Sequence, residues 1–198
     1  MGDDRRAGLR AAFIAIGVGG RSHGRPVEEM LERLRSTAGG IRWLEPLDLH
    51  LTVAYLGDID DSRAQAVTAA GASLVATVPP PVVAIAGLGG FPNAVEPRVA
   101  WAGISSPTDG LDGLKAAVDH MLEPLGFEPE QRPFRPHVTL ARARSRQSRR
   151  ELAAIITGEG RREYCRFVAP DLSLFARDPD GHQRYVEVVR LPFLRRAG

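Results

Sequence analysis

Two short stretches, "HLTVAYLG" beginning at His50 and "HVTLAR" beginning at His137, place the tightest limits on how this chain can fold. Successive side chains of a strand point to opposite faces. His50 and Thr52 therefore share one face against Leu51, Val53 and Tyr55, and His137 and Thr139 share one against Val138 and Leu140. The apolar face must meet a core, which leaves the polar face to line a cleft. A lone histidine on a strand is ordinarily satisfied by nearby backbone and does nothing further. A histidine-any-threonine triplet arises by chance only about 0.2 times in a chain of this composition. Two copies with matched apolar neighbours, the second 87 residues after the first, point to one site built from two similar halves.

With 198 residues, 43% of them hydrophobic, the chain can bury a core as one domain or two small lobes. No apolar run approaches the roughly 18 residues of a membrane span. The start "MGDDRRAGLR" carries acids where a secretory signal would not. A cytoplasmic protein without a membrane partner is expected, and a monomer. The single cysteine, Cys165, excludes an internal disulfide and a cysteine-cluster metal site; in "EYCRFVAP" it reads as a small core residue. Net charge is only +2, yet Lys115 is the one lysine in the chain. The basic residues crowd in "ARARSRQSRR", where Arg142, Arg144, Arg146, Arg149 and Arg150 have no acid among them. A phosphate-tracking loop and a solvated loop before a helix both fit that run.

Arg10 to Gly17 reads as a first strand, and "PVEEMLERLRST" as a helix with proline in its first turn. "IRWLEP" and "DLHLTVAYLG" are extended. "DDSRAQAVTAAGASLVATV" is helical and is stopped by the prolines at 79 to 81, a hinge or linker candidate. "VVAIAGL" and "RVAWAGI" read as strands flanking a glycine-rich loop, "GGFPNAVEP". The run 108 to 126 has Leu111, Leu114, Val118, Met121, Leu122 and Leu125 at helical spacing, with Gly126 as the stop. "HVTLA", a short helix "SRRELAAIIT", and two strands around "DPDG" complete the chain. Strands and helices mix without the regular alternation of a wound parallel sheet, so an α+β fold with antiparallel sheet is expected.

Other clusters have simpler explanations. The turn "AIGVGGRSHG" breaks dinucleotide-loop spacing at Ser22, which leaves His23 as a solvated loop residue. Asp58, Asp60 and Asp61 would cap the following helix rather than bind metal with His50 and His137. His120 and His182 have no second histidine at ligand spacing, and surface positions suffice for them.

The paired motifs resemble those of the 2H phosphoesterases, and within them the RNA 2',3'-cyclic phosphodiesterases, also called 2'-5' RNA ligases. The likeness runs through "RAAFIAI", "WLEPLDLHLTVAYLG", "GLGGFPNAVEPRVAWAGI", "FRPHVTLAR" and "LSLFARDPDGHQRYVEV", nearly the whole chain. Departures are Asp48 where asparagine is common, Val53 for leucine, and one extra residue between Arg10 and Phe13. The resemblance implies one bilobal α+β domain over residues 1–198, with two pseudo-symmetric lobes and a catalytic groove between them.

It also implies the chemistry. Opening a 2',3'-cyclic phosphate at the end of an RNA or nucleotide needs a base for the attacking water and an acid for the departing ribose oxygen. Imidazole, titrating near ~6.5, serves as either. Threonine hydroxyls donate to the non-bridging oxygens. No metal and no cofactor is expected. By resemblance His50 is the acid and His137 the base, leaving a 2'-phosphate; the sequence itself does not assign these roles. Arg142 matches the arginine the family writes as "HxTxxR", a phosphate clamp. Strict alternation puts it on the face opposite His137, so it reaches the groove only if the strand ends or bulges. Phe13, Trp101 and Tyr185 are candidates to stack on a base, although strand aromatics are more often core. A small cyclic nucleotide, a nucleotide-sugar cyclic phosphate, or a non-catalytic RNA-binding role on the same fold are the alternatives.

Overall fold

The computed structural model describes residues 8–38, 40–105 and 109–194. The chain runs β1 (Gly8–Gly17), α1 (Arg25–Arg35), β2 (Arg42–Trp43), β3 (His50–Asp60), α2 (Asp61–Val75), β4 (Val82–Phe91) and β5 (Val99–Ile104). It continues with α3 (Asp109–Leu122), β6 (His137–Arg142), α4 (Arg146–Glu159), β7 (Glu163–Val168), β8 (Asp171–Arg177) and β9 (Tyr185–Pro192). All strand pairs are antiparallel, in the order β7-β4-β5-β6-β3-β1-β8-β9, with β2 added beside β6.

That order is two four-strand halves set back to back. β6 pairs with β5, then β4, then β7; β3 pairs with β1, then β8, then β9. The sheets of the two expected lobes meet at a single pair, Leu51 opposite Val138, so hydrogen bonding counts them as one curled nine-stranded sheet. The two motif strands are the central pair. Leu51, Val53, Val138 and Leu140 are buried with Ile14, Ile16, Leu111, Leu114 and Val118 in the main core, as strand parity and helix spacing require.

The helices begin where capping chemistry permits. Asp60 accepts the Arg63 N–H at 2.8 Å to start α2, the capping role expected of that acidic cluster. Ser145 and Ser148 cap each other's backbone N–H groups, which starts α4 at Arg146, two residues earlier than its apolar pattern shows. Of the helix expected over 108 to 126, Thr108 lies outside the described residues; α3 ends at Leu122 and a tight turn closes at Gly126, whose φ is +76°.

Three expectations change. The prolines at 79 to 81 are not a free linker: Pro81 is buried and its carbonyl accepts the Ala169 N–H at 2.9 Å, which ties the start of β4 to the end of β7. The glycine-rich loop begins late, because Gly89, Gly90 and Phe91 continue β4. A Cβ on Gly89 would sit 2.2 Å from the Trp101 ring, so the glycine is there to let that indole lie across the strand. Cys165 is half-buried on β7, a strand whose mixed edge pattern gives no clean period; burial pushes its thiol up to about 11.

Candidate active site

The pair Leu51–Val138 fixes the centre of the groove. Extending its antiparallel register by one residue each way puts His50 opposite Thr139 and Thr52 opposite His137. The four motif residues form a block around a local two-fold axis, on the face away from the main core. All four are half-buried.

Each histidine is held in the same way. His50 Nδ1 lies 2.7 Å from the Asp48 carbonyl oxygen, and His137 Nδ1 lies 2.7 Å from the Arg135 carbonyl oxygen. A carbonyl only accepts, so Nδ1 carries the proton in both rings. Nε2 is then the atom that takes or gives a proton in the groove.

Their surroundings differ. The His50 ring lies 4.6 Å from Phe13, 5.7 Å from Phe175 and 5.7 Å from Tyr185, with Ala15 completing a small apolar floor. Burial lowers the pKa of His50 to about 4, against the hydrogen bond to Asp48 that raises it; His137 and Arg184 push it down further. His137 meets Phe91 at 5.1 Å and Trp101 at 6.0 Å. Phe13 is buried in a small core cluster, as the core reading of strand aromatics expects, and Tyr185 is half-buried against it; both lie beside the His50 ring.

Both motif strands bulge one residue past the threonine. On β3, Thr52 pairs with Ala15 and Ala54 with Ile14, so Val53 is the extra residue; on β6, Thr139 pairs with Trp101 and Ala141 with Ala100, so Leu140 is. Val53 and Ala54 are both buried, as are Leu140 and Ala141, and alternation resumes one step out of phase. Arg142 thus returns to the face of Thr139, the condition its sequence position demanded. The same shift corrects Tyr55: it leaves the apolar face, lies opposite Phe13 and is 69% exposed.

The remaining expectations sort by place. Arg146, Arg149 and Arg150 stand on α4, whose Leu152 and Ile156 pack with Ala100 and Ala141 on the side of the sheet away from the histidines, so the arginine run is divided and only Arg142 joins the groove. His23 is not solvated: its Nε2 lies 3.1 Å from the Gly17 carbonyl and its ring stacks on Phe167 at 4.1 Å. His120 and His182 are exposed. Among the described residues, no three histidine, cysteine or acidic side chains cluster as a metal site.

Pattern reading missed two features. Arg21 crosses above Gly17, which is paired with His50, and is held by Asp171 at 2.8 Å and Glu187 at 2.5 Å; a Cβ on Gly17 would meet its guanidinium. Asp48 is buried, and its Oδ1 accepts the Tyr185 N–H at 3.2 Å, which fastens the β8–β9 hairpin over His50. Asparagine offers the same oxygen, so the Asp48 departure keeps this bond. Burial raises the Asp48 pKa, partly offset by the backbone N–H groups of Tyr185 and Arg184.

A sequence profile of the 2'-5' RNA ligase superfamily matches residues 24–181. The chain belongs to that superfamily. Among superfamily relatives, an RNA 2',3'-cyclic phosphodiesterase of Methanothermobacter thermautotrophicus is 30% identical over 147 residues, 73% of this chain and 77% of that one. One of Aeropyrum pernix is 29% identical over 134 residues, 66% of this chain and 75% of that one. The crystal structure of E. coli LigT complexed with 3'-AMP superposes with a TM-score of 0.70 at 21% identity, over 94% of this chain and 99% of that one, a likeness of fold. No helix among the described residues is long and apolar enough to cross a membrane.

Proposed function

We propose that this chain hydrolyses 2',3'-cyclic phosphates at the ends of RNA or nucleotides to 2'-phosphates, by metal-independent acid–base catalysis between His50 and His137. The observation that carries the proposal is the two-fold block of His50, Thr52, His137 and Thr139 on adjacent strands, with both imidazoles presenting Nε2. The names of the curated relatives support the same substrate class.

In the reaction, a base removes a proton from water as its oxygen forms a bond to phosphorus. The bond from phosphorus to the 3' oxygen breaks in line, and the acid gives that oxygen a proton. Thr52 and Thr139 donate to the non-bridging oxygens, where charge accumulates. Arg142, restored to the groove face by the bulge, supplies a planar two-pronged donor to the phosphate. The half-buried ring of Tyr185, packed on Phe13 and Phe175 beside His50, is where the terminal base would stack.

The resemblance makes His50 the acid, and an anionic phosphate would raise its proton affinity on binding. Its low pKa in the free protein supports the opposite assignment as a second reading, since a base must start unprotonated. A cyclic substrate with sulfur in place of the 3' oxygen separates the two, because a thiolate leaves without a proton. Activity restored to His50→Ala by this substrate makes His50 the acid; activity restored to His137→Ala makes it the base. The enclosing assay is hydrolysis of 2',3'-cyclic AMP in EDTA, with loss of turnover in chelator and recovery with a divalent ion as the result that overturns the metal-free mechanism.

The same in-line geometry admits a 5'-hydroxyl in place of water, giving weak ATP-independent 2'-5' joining. Water at ~55 M keeps hydrolysis dominant.

A further inference from the structure

Beside the histidines lies a group of positive charges that hydrolysis of a single nucleotide does not require. β2 contributes two residues to the sheet, and its Arg42 pairs directly with Arg142 of β6. Side chains of a directly opposed pair emerge on one face, so two guanidinium groups face the groove side by side, an arrangement that costs free energy while nothing negative lies between them. Arg184 approaches from the β8–β9 hairpin, its guanidinium 5.4 Å from the Tyr185 ring centroid. Burial lowers the pKa of Arg142, and the charges of Arg184 and Arg42 lower it further.

Three acids line the same cleft, and the charge of Arg184 acts on one of them, Asp48, but each has another partner. Asp48 accepts the Tyr185 N–H, Asp178 accepts the N–H groups of Asp180 and Gln183 at 3.0 and 2.8 Å, and Glu45 pairs with Arg35 at 3.4 Å. Among the described residues, no carboxylate oxygen lies within 4.0 Å of the Arg42, Arg142 or Arg184 side chains, although ten other basic groups do make such pairs. Arg42 and Arg184 open onto a cleft of about 750 Å³ between the hairpin turn and residues 45–48. Arg142 stands three residues along β6 from Thr139, about 10 Å of strand, so the cleft begins roughly one nucleotide away from a phosphate held at the histidines.

We propose that Arg42 and Arg184, on either side of Arg142, form a second anion subsite that holds the phosphodiester on the 5' side of the terminal nucleotide. The subsite makes the protein a reader of RNA ends rather than of cyclic mononucleotides, and so rests on the phosphodiesterase function. It also places RNA contact on this hairpin cleft instead of on the arginines of α4. A diester between the Arg42 and Arg184 forks offsets part of the like-charge repulsion, and the cleft leaves room for the preceding nucleoside.

The test measures binding apart from turnover. Calorimetry would compare 2'-AMP with the dinucleotide ApA carrying a 2'-phosphate, at two salt concentrations. Wild type is expected to bind the dinucleotide at least tenfold tighter at low salt. Arg42→Gln and Arg184→Gln should each shrink that preference severalfold and flatten its salt dependence by about one charge, whereas Arg146→Gln with Arg150→Gln, twice that charge change on α4, should not. A preference that survives both single changes, or that falls as far in the α4 variant, overturns the subsite. If wild type shows the dinucleotide preference but leaves ApA ending in a 2',3'-cyclic phosphate intact, the hydrolytic function fails and the subsite stands.

Discussion

The two motif strands are alike in backbone and unlike in setting. β3 and β6 share the same histidine and threonine positions, the same bond from Nδ1 to the carbonyl two residues back, and the same bulge one residue past the threonine. Around that shared frame, His50 is packed by Phe13, Phe175 and Tyr185 beneath a hairpin fastened by Asp48, whereas the aromatic rings beside His137 among the described residues are Phe91 and Trp101. Where Arg142 follows the second bulge, Tyr55 follows the first. Symmetry thus supplies two chemically equivalent imidazoles, and the unequal walls set them apart. Like-charge coupling alone lets two equivalent imidazoles share one proton, and unequal walls decide which of them holds it.

The largest effect should come from breaking the pair. His50→Ala and His137→Ala are each expected to lower kcat about 10³-fold, with the double variant little worse than either single one, because each removes the same cooperative proton transfer. Near wild-type turnover in either single variant would end the two-histidine mechanism. Next come the threonines: Thr52→Val and Thr139→Val should each cost about 2 to 4 kcal/mol of transition-state stabilisation. Unchanged rates in both would reassign the hydroxyls to strand packing.

The inequality of the walls has its own test in pH. Because His50 has a folded-state pKa of about 4 against an ordinary 6.5, the unfolded chain holds more protons between those values. Stability contributed at neutral pH is therefore lost as pH falls from 6.5 towards 4, by at most about 3 kcal/mol. Denaturant unfolding of His50→Asn should lack that part of the acid sensitivity; an acid limb of kcat/KM near pH 4 in the wild type marks His50 as the base, whereas His50 as the acid makes kcat/KM fall as pH rises above 4. Opening the wall with Phe175→Ala should move the His50 titration, followed by NMR, up towards 6.5; a titration that stays put would remove burial as the cause.

The smallest effects concern the residues after the bulges. Arg142→Ala should weaken phosphate binding by about 1.5 to 3 kcal/mol, whereas Tyr55→Ala, on an exposed side chain, should change kcat/KM less than twofold. Equal losses would mean that the groove treats its two ends alike.

Much of this was readable from the chain because the relevant physics is short-ranged. Strand period put His50 with Thr52 and His137 with Thr139 on one face, and helix period identified Leu111, Leu114, Val118 and Leu122 as the buried side of α3. The edge strand β7 escaped because "EYCRFV" shows one half-covered face and no clean alternation. Tyr55 was assigned to the wrong face because parity counting assumes an unbroken ladder, and nothing local in "TVAY" announces an extra residue. Arg42 and Arg184 carried no signal at all, being two arginines among many until one sheet register and one folded-over hairpin brought them to Arg142.

The sequence by itself determined the antiparallel α+β class, the two matched strands and the four residues around which acid–base chemistry can be built, since alternation and apolar content act over a few residues. Only the tertiary structure decided the phase of Arg142 and Tyr55, the enclosure that separates His50 from His137, and the convergence of three arginines beside them. Those depend on bulges, register and sheet curl, which are fixed by contacts between segments distant in the chain, and no local period records them.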